Sequence, residues 1–351
     1  MSLLSPLAPV RLAKRVAGTG VQLGASAAGA IRYKPQGQQS YDDTLRTLSE
    51  ASVERWFNAF KDVAWDSPEL AVAPDDERWI LPSVDPLGAH PWYQELSKER
   101  QIEVGRHRLV AMTKTGSQFE QLLLMGGTQF LMTLKNQNPE FRYFMHELTE
   151  ECHHIQMFQE LTNRTCPEVS GAPKWLLTVI PLVAQLGTWA PAAFFGVILA
   201  GEEPIDHLQK DVLRQGGTHP LLDRIMSIHA AEEARHIGFA HAWLAHHVPH
   251  QSPLTKTLLG LLTPMAMRLG HDAIVIPSKA DCEAMGLPDK VVREVFGSPE
   301  AQKIRRDVCA DVRMLYEEIG CLNPTTRWAW RLWGVDGRPA RYRSEPVHAA
   351  A

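Results

Sequence analysis

The stretch His229-Ala-Ala-Glu-Glu-Ala-Arg-His236 combines helix-favouring residues with a high density of metal-binding side chains. His229, Glu233 and His236 are spaced by four and then three residues. Because an α-helix has about 3.6 residues per turn, this spacing places all three on one face. The same face carries apolar residues, namely Met226, Ala230, Ile237 and Ala240. The stretch therefore predicts a core-facing helix that presents one carboxylate and two imidazoles to a common point.

A second segment, Glu150-Glu-Cys-His-His154, repeats the glutamate-to-histidine spacing in two overlapping registers. Glu151 and His154 share their face with apolar neighbours, whereas the neighbours of Glu150 and His153 include further ionisable residues. A metal inside a helical bundle is reached from the apolar side. We therefore favour Glu151 and His154 as ligands and expect the other pair on a solvated face. At this point the one-residue ambiguity between the registers stays open.

A dinuclear site of the ferritin-like type needs carboxylates from two further helices. In the adjacent pair Glu202 and Glu203, the first lies on the more apolar side and is favoured, although the second remains an alternative. On an earlier helix, Glu120 has apolar neighbours, whereas Glu103 lies in a polar stretch. The steps from Glu120 to Glu151 and from Glu202 to Glu233 are both 31 residues. Two helical hairpins of equal length would bring these four glutamates to one level.

Helical periodicity dominates the chain from residue 95 onward, and no convincing strand pattern follows. We predict an all-α protein, with a ferritin-like four-helix bundle core and additional N- and C-terminal helices. The predicted helices are 96–134, 139–163, a helical run up to about residue 213, 219–247, 254–269 and 299–319. The predicted organisation is a flexible N-terminal arm (1–41), a helical and loop preface (42–94), the metal-binding domain (95–320) and a C-terminal tail (321–351).

Residues 175–201 contain no charged side chain over 27 positions, which is long enough to span a bilayer. Pro181 and Pro191 interrupt the run, and both of its ends lead into the predicted ligand helices. We therefore predict a buried or interface helix pair and no membrane span. Because such a segment could supply a subunit interface, we also expect a homodimer.

The overall charge and the cysteines narrow the class of protein. A net charge of -4 and a pI near 6.4 give no basic surface for nucleic acid, so we expect a small-molecule substrate. The five cysteines are scattered, without a Cys-x-x-Cys spacing, and no convincing signal peptide precedes them. This pattern indicates reduced thiols and a cytoplasmic location. Buried glutamates require cations, and oxygen and imidazole donors without thiolate suit iron or manganese better than zinc.

The pattern His229-x3-Glu233-x2-His236, with Glu151-x2-His154 and a single glutamate upstream of each, resembles the p-aminobenzoate N-oxygenase family. The resemblance spans roughly residues 95–319, and the third histidine is its most specific element. Members are ferritin-like diiron proteins that oxidise aryl amines, through hydroxylamines, toward nitro groups. The resemblance implies two iron ions, dioxygen as co-substrate and an external electron donor. The implied iron ligands are Glu120, Glu151, His154, Glu202, His229, Glu233 and His236.

Three other functions compete with N-oxygenation at this stage. A diiron hydroxylase or desaturase acting on a carbon substrate, free or carrier-bound, would use the same helices. A ferroxidase or iron-storage protein would share the four-helix site but need no third histidine, and its chain would be shorter after His247. A structural helical protein without metal would leave several glutamates unpaired in an apolar core. We therefore expect the N-oxygenase.

Overall fold

The computed structural model describes residues 40–345, and all regular secondary structure in that range is helical. The all-α prediction is confirmed. The predicted N-terminal arm lies outside the described residues except for its last two positions. The α-helices are α1 (Tyr41–Glu54), α2 (Pro91–Gln94), α3 (Lys98–Leu131), α4 (Pro139–Thr165), α5 (Lys174–Ala184), α6 (Leu186–Trp189), α7 (Pro191–Gln215), α8 (Pro220–His247), α9 (Pro253–Val275), α10 (Lys279–Met285), α11 (Asp289–Phe296), α12 (Pro299–Val308), α13 (Ala310–Glu318) and α14 (Arg327–Leu332). Short 3-10 helices lie at Pro68–Leu70, Glu77–Trp79 and Val248–His250.

Four long helices form the bundle core. Helices α3 and α4 pack along each other as one hairpin, and α7 and α8 form the second. The crossover between the hairpins contains α5 and α6, which pack against α3. Helix α1 lies across α4 and α8, and α9 packs on α7. Each of the four predicted glutamate ligands therefore comes from a different core helix.

Local sequence signals explain where several of the helices begin. Asn138 caps α4 because its side chain accepts a hydrogen bond from the backbone N–H of Glu140, and Pro139 follows at the first helical position. Ser298 caps α12 in the same way. Helix α8 begins after His219, whose ring accepts from a backbone N–H of the first turn. These starts agree with the sequence prediction.

Several helix boundaries differ from the prediction, and α9, which was predicted to end at residue 269, extends to Val275. The helix predicted for 299–319 is two helices, because Cys309 leaves the helical conformation at φ -89° and ψ 6°. Nothing in the local sequence explains this break. In the uncharged run 175–201, Pro181 lies inside α5 and does not end that helix. The helical segments are instead separated at Gln185 and Ala190. No helix among residues 40–345 is both long and apolar enough to cross a membrane, as predicted.

Two apolar clusters fill the bundle, one toward each end. The first includes Phe130, Phe144, Phe195, Phe239 and Trp243, and the second includes Val110, Met157, Leu161, Leu222 and Ile225. Along every core helix, the predicted glutamate lies between residues of the two clusters. The ionisable groups are therefore enclosed between two apolar layers, which keep bulk water away from them.

Residues 321–345 pack against the bundle. Trp330 on α14 is fully buried, and its indole Nε1 donates a hydrogen bond to the carbonyl oxygen of Gly260 at 2.9 Å. Cys321, Leu322 and Val335 are also buried in the first apolar cluster. This segment closes the end of the bundle opposite to the second cluster.

Candidate metal centre

Six of the seven predicted ligands meet between the two apolar layers, and all six are buried. They form two overlapping groups in which the donor atoms lie within 4.8 Å of one another. The groups are Glu120, His154, His229 and Glu233, and Glu151, His154, Glu233 and His236. Neither group contains a cysteine. This arrangement offers oxygen and imidazole donors from three helices to one enclosed space.

The seventh predicted ligand, Glu202, approaches the same space from α7. Its Oε2 is buried and has no hydrogen-bond partner among the described residues. Burial, together with the negative charges of Glu233 and Glu151, raises the pKa of Glu202 well above its usual value. The fourth core helix therefore supplies a carboxyl that faces the same carboxylates.

Glu233 lies at the middle of the cluster. Its Oε1 is 3.3 Å from Nε2 of His229, 3.5 Å from Nδ1 of His154 and 3.3 Å from Nδ1 of His236. A single carboxylate oxygen is thus close to three imidazole nitrogens. Such a carboxylate can bridge two metal ions that each take imidazole ligands.

Two of the imidazoles turn the same nitrogen inward. Nδ1 of His154 is 3.4 Å from Glu151 Oε2, and Nδ1 of His236 is 2.8 Å from Glu151 Oε1. The outer Nε2 atoms lie 2.8 Å from Glu232 Oε2 and 2.7 Å from Glu150 Oε2, respectively. When each outer Nε2–H donates to its carboxylate, each Nδ1 carries its lone pair toward the centre.

His229 is oriented in the opposite sense. Its Nε2 is 3.0 Å from Glu120 Oε1, while its Nδ1 is 2.9 Å from the amide oxygen of Gln209 on α7. The amide oxygen accepts the Nδ1–H bond, so Nε2 is the inward nitrogen. All three histidines therefore have an outer partner that fixes the tautomer needed for metal binding.

Several buried atoms of the centre lack hydrogen-bond partners among the described residues. They are Oε2 of Glu120, Glu147, Glu202 and Glu233, both carboxylate oxygens of Glu151, and Nδ1 of His154. Each unsatisfied buried polar atom costs about 1–3 kcal/mol, and more when charged. Divalent cations would satisfy these atoms together, so the residues present fit a dinuclear metal site.

The pKa values reflect this excess of buried carboxylates. Burial raises the pKa of Glu120 to about 7, although His229 acts in the opposite direction. Burial also opposes ionisation of Glu151, but His236 and His154 outweigh it and hold the pKa of Glu151 well below its usual range. The centre thus places carboxyls in unequal environments, and bound cations would stabilise all of them in the ionised form.

Glu147 is a residue of this region that the sequence analysis missed. It lies one turn before Glu151 on α4 and is only 1% exposed. Burial raises its pKa well above the usual value. Its four-residue spacing from Glu151, on the face that also carries Phe144 and Leu148, is the signal that could have identified it.

The prediction that Glu150 lies on a solvated face is wrong. Glu150 is buried, and it accepts hydrogen bonds from Nε2 of His236 and, at 2.9 Å, from Nη2 of Arg235. Glu232, which directly precedes the predicted ligand Glu233, is also buried and accepts from the backbone N–H of Phe57. The preface (42–94), which includes most of α1, covers this side of the bundle, so these carboxylates are not exposed to water.

The alternative residue Glu203 faces away from the centre. It is 2% exposed, and both of its carboxylate oxygens lie 3.0 Å from Nε2 of His241. Its neighbour His207 pairs with Asp311 on α13 at 3.0 Å. The side of α7 that appeared polar in the sequence is therefore buried against other helices through paired charges.

A cavity of about 140 Å³ reaches the centre at His229. Its wall beside that histidine contains Gly116, Phe158 and Gln209, and the remaining lining is mainly apolar. Arg305 and Asp272 also line it. Because His229 belongs both to the buried cluster and to the cavity wall, a small molecule in the cavity would lie next to the candidate metal centre.

Residues 38–320 match the family described as "P-aminobenzoate N-oxygenase AurF". The chain belongs to this family. The matched range includes α1 to α13 and every residue of the centre, and the ferritin-like fold of the family agrees with the four-helix core.

Two similar proteins are "Uncharacterized protein Mb0909" of Mycobacterium bovis and "Uncharacterized protein Rv0885" of Mycobacterium tuberculosis. Each is 49% identical over 315 residues, which cover 89% of this chain and 93% of the relative. Family membership and the buried glutamate and histidine clusters together suggest a diiron oxygenase.

Proposed function

We propose that this p-aminobenzoate N-oxygenase family member is a diiron, O2-dependent enzyme that oxidises an aryl amine nitrogen toward hydroxylamine and nitro products. The observation that carries the proposal is the position of His229. Its Nε2 lies 3.0 Å from Glu120 and 3.3 Å from Glu233, and its ring forms part of the cavity wall. A third imidazole enriches the metal ligands in nitrogen donors at the point where substrate would approach.

The proposed iron ligands are the seven predicted residues, Glu120, Glu151, His154, Glu202, His229, Glu233 and His236. When bound, the two irons supply the binding and reduction of dioxygen. The other tasks belong to the protein. Glu150, Glu232 and Gln209 hold the three imidazoles in the required tautomers. The apolar layers limit access of water, and the cavity places the amine beside His229.

The remaining partners follow from this chemistry. A diiron oxygenase must be reduced between turnovers, so we propose an external electron donor. A homodimer is supported by apolar side chains on α5 and α6, where Trp175, Leu182 and Trp189 are 48%, 72% and 45% exposed. The five cysteines are free thiols, which supports the proposed cytoplasmic location.

Oxidation of a carbon substrate is the second candidate, because the apolar lining of the cavity is equally compatible with it. Leu222, Met226 and Ile205 would accept an aliphatic chain as readily as an aromatic ring. Iron storage is less consistent with the structure, since a storage site needs neither a substrate cavity nor a third histidine.

Product analysis separates these functions. The reduced, iron-loaded protein is exposed to oxygen with a panel of aryl amines and acyl substrates, and the products are identified by mass spectrometry. We expect hydroxylamine or nitro products, which His229→Ala abolishes and the control His246→Ala, an exposed histidine of the same helix, does not. Products oxidised only at carbon would overturn the proposal, as would full N-oxygenation by His229→Ala.

A further inference from the structure

A second group of metal-binding side chains lies where the loop after α4 meets α3. Cys166 caps the C-terminus of α4, Glu168 follows it in the loop, and His107 belongs to α3. His107 precedes Glu120 by 13 residues on the same helix, which separates the two levels by about 20 Å. The group is therefore distinct from the buried centre between the apolar layers.

The donor atoms of this group are already close together. Sγ of Cys166 lies 3.8 Å from Nδ1 of His107 and 3.2 Å from Oε1 of Glu168, and the three donor atoms all lie within 4.8 Å of one another. Zinc bonds of about 2.0–2.3 Å in a tetrahedron place neighbouring donor atoms roughly 3.5 Å apart. The observed spacing therefore needs only small side-chain adjustments to enclose an ion of this size.

The orientation of His107 is an independent observation. Its Nε2 lies 3.0 Å from Oδ1 of Asp281 on α10, and both residues are buried. Asp281 is itself held by the backbone N–H and the hydroxyl of Ser170 and by the hydroxyl of Ser278. Because Nε2–H donates to Asp281, Nδ1 carries its lone pair toward Cys166. A carboxylate that orients a histidine in this way is the usual support of a zinc ligand.

We propose that His107, Cys166 and Glu168 bind one divalent ion of the zinc class, separately from the two irons. Thiolate with imidazole and carboxylate favours zinc or cobalt over magnesium or calcium. Three protein ligands leave a fourth position for water. Bound there, it would fasten the loop after α4 to α3, and through Asp281 to α10.

Arg106 is the charged neighbour that opposes this binding. Its guanidinium interacts with both Cys166 and Glu168. The residue is only partly buried overall, although its Nε is buried without a hydrogen-bond partner among the described residues, so an entering cation would have to displace the guanidinium. Replacing it with a neutral residue should therefore strengthen metal binding, whereas a group of hydrogen-bonded side chains without a metal function predicts no such gain.

Cobalt provides a direct test, because a thiolate bound to Co²⁺ gives a charge-transfer absorption band in the near ultraviolet. The buried centre contains no cysteine and cannot produce this band. The iron-loaded protein is titrated with Co²⁺ while its iron content is monitored. We expect the band to saturate at one equivalent of Co²⁺ per chain and to disappear when Zn²⁺ displaces the cobalt. Arg106→Gln should bind Co²⁺ more tightly than the wild type.

Matched variants assign the band to the proposed ligands. Cys166→Ser should abolish it, whereas Cys152→Ser, an exposed cysteine on the same helix, should retain it. If circular dichroism shows that Cys166→Ser folds poorly, Glu168→Gln replaces it as the test variant, because Glu168 is exposed. Glu168→Gln should weaken Co²⁺ binding at least tenfold. The absence of a band overturns the proposal, as does a band that survives Cys166→Ser or unchanged affinity in Glu168→Gln.

Discussion

Replacing Glu150 tests whether the outer carboxylates control the metal centre. In the structure Glu150 accepts from Nε2 of His236 at 2.7 Å and from Arg235 at 2.9 Å. Glu150→Ala removes both acceptors, so His236 loses the partner that fixes its tautomer. Arg235 keeps its hydrogen bonds to the Ser52 hydroxyl and the Ala231 carbonyl oxygen, but its remaining ion pair is the longer 3.6 Å contact to Glu232. The substitution therefore disturbs a proposed ligand without touching the metal directly.

The size of the effect follows from these contacts. Loss of the outer partner of a metal-bound histidine typically lowers metal affinity 10–100-fold, which corresponds to about 1.4–2.8 kcal/mol. Glu150→Gln keeps a carbonyl acceptor for His236 and loses only the charge, so its affinity should fall less than about tenfold. Because Arg235 is largely buried, we also expect Glu150→Ala to lower the free energy of unfolding of the metal-free protein by about 3 kcal/mol.

The measurement is an anaerobic competition between the protein and a chromogenic ferrous chelator, with chemical denaturation of the metal-free variants alongside. Glu160→Ala is the control, since Glu160 lies on the same helix but pairs with the partly exposed Arg164. It should bind iron normally and change stability by no more than about 1 kcal/mol. Iron affinity in Glu150→Ala equal to that of the wild type would refute this role of Glu150.

Three further predictions concern α6 and α7. Iron analysis of Glu202→Ala should show a reduced iron content. Glu203→Ala should retain iron, but chemical denaturation should show a loss of about 1–3 kcal/mol of stability, because the substitution leaves the buried His241 without its carboxylate partner. Gly187→Ala should destabilise the fold by at least about 1–3 kcal/mol in denaturation, because its Cβ would clash with a backbone carbonyl oxygen of α3. Although burial lowers the pKa of His207, the hydrogen bond to Asp311 raises it above 6.5. The stabilisation by His207 should therefore be complete below pH 6.5 and fall as pH rises through the raised pKa, so the stability difference from His207→Gln should shrink in that direction.

The ligand helices could be predicted because their signals are local. The cap and proline at Asn138 and Pro139 fix where α4 begins, and the apolar face of α4 favours Glu151 and His154 over their neighbours. The equal steps between glutamates also agree with the level at which the side chains meet. In each case one helix, or one hairpin of two successive helices, contains the information.

The residues that orient the histidines could not be predicted from the sequence, because their positions depend on contacts between segments that are distant along the chain. Glu232 receives a hydrogen bond from Phe57, 175 positions earlier, and His107 is oriented by Asp281, 174 positions later. From the sequence alone, a polar helix face is predicted to be exposed to solvent, because the segment that covers it in the folded protein is not known. Thus periodicity indicated the candidate ligands, whereas the groups that orient them required the tertiary structure.

Anomalous scattering at the iron absorption edge, from crystals of the iron-loaded protein, tests the central claim most directly. We expect two iron peaks per chain between the apolar layers, within reach of Glu233 and the inward nitrogens of His154, His229 and His236. A single peak, or iron only outside this cluster, would contradict a diiron centre built from these residues.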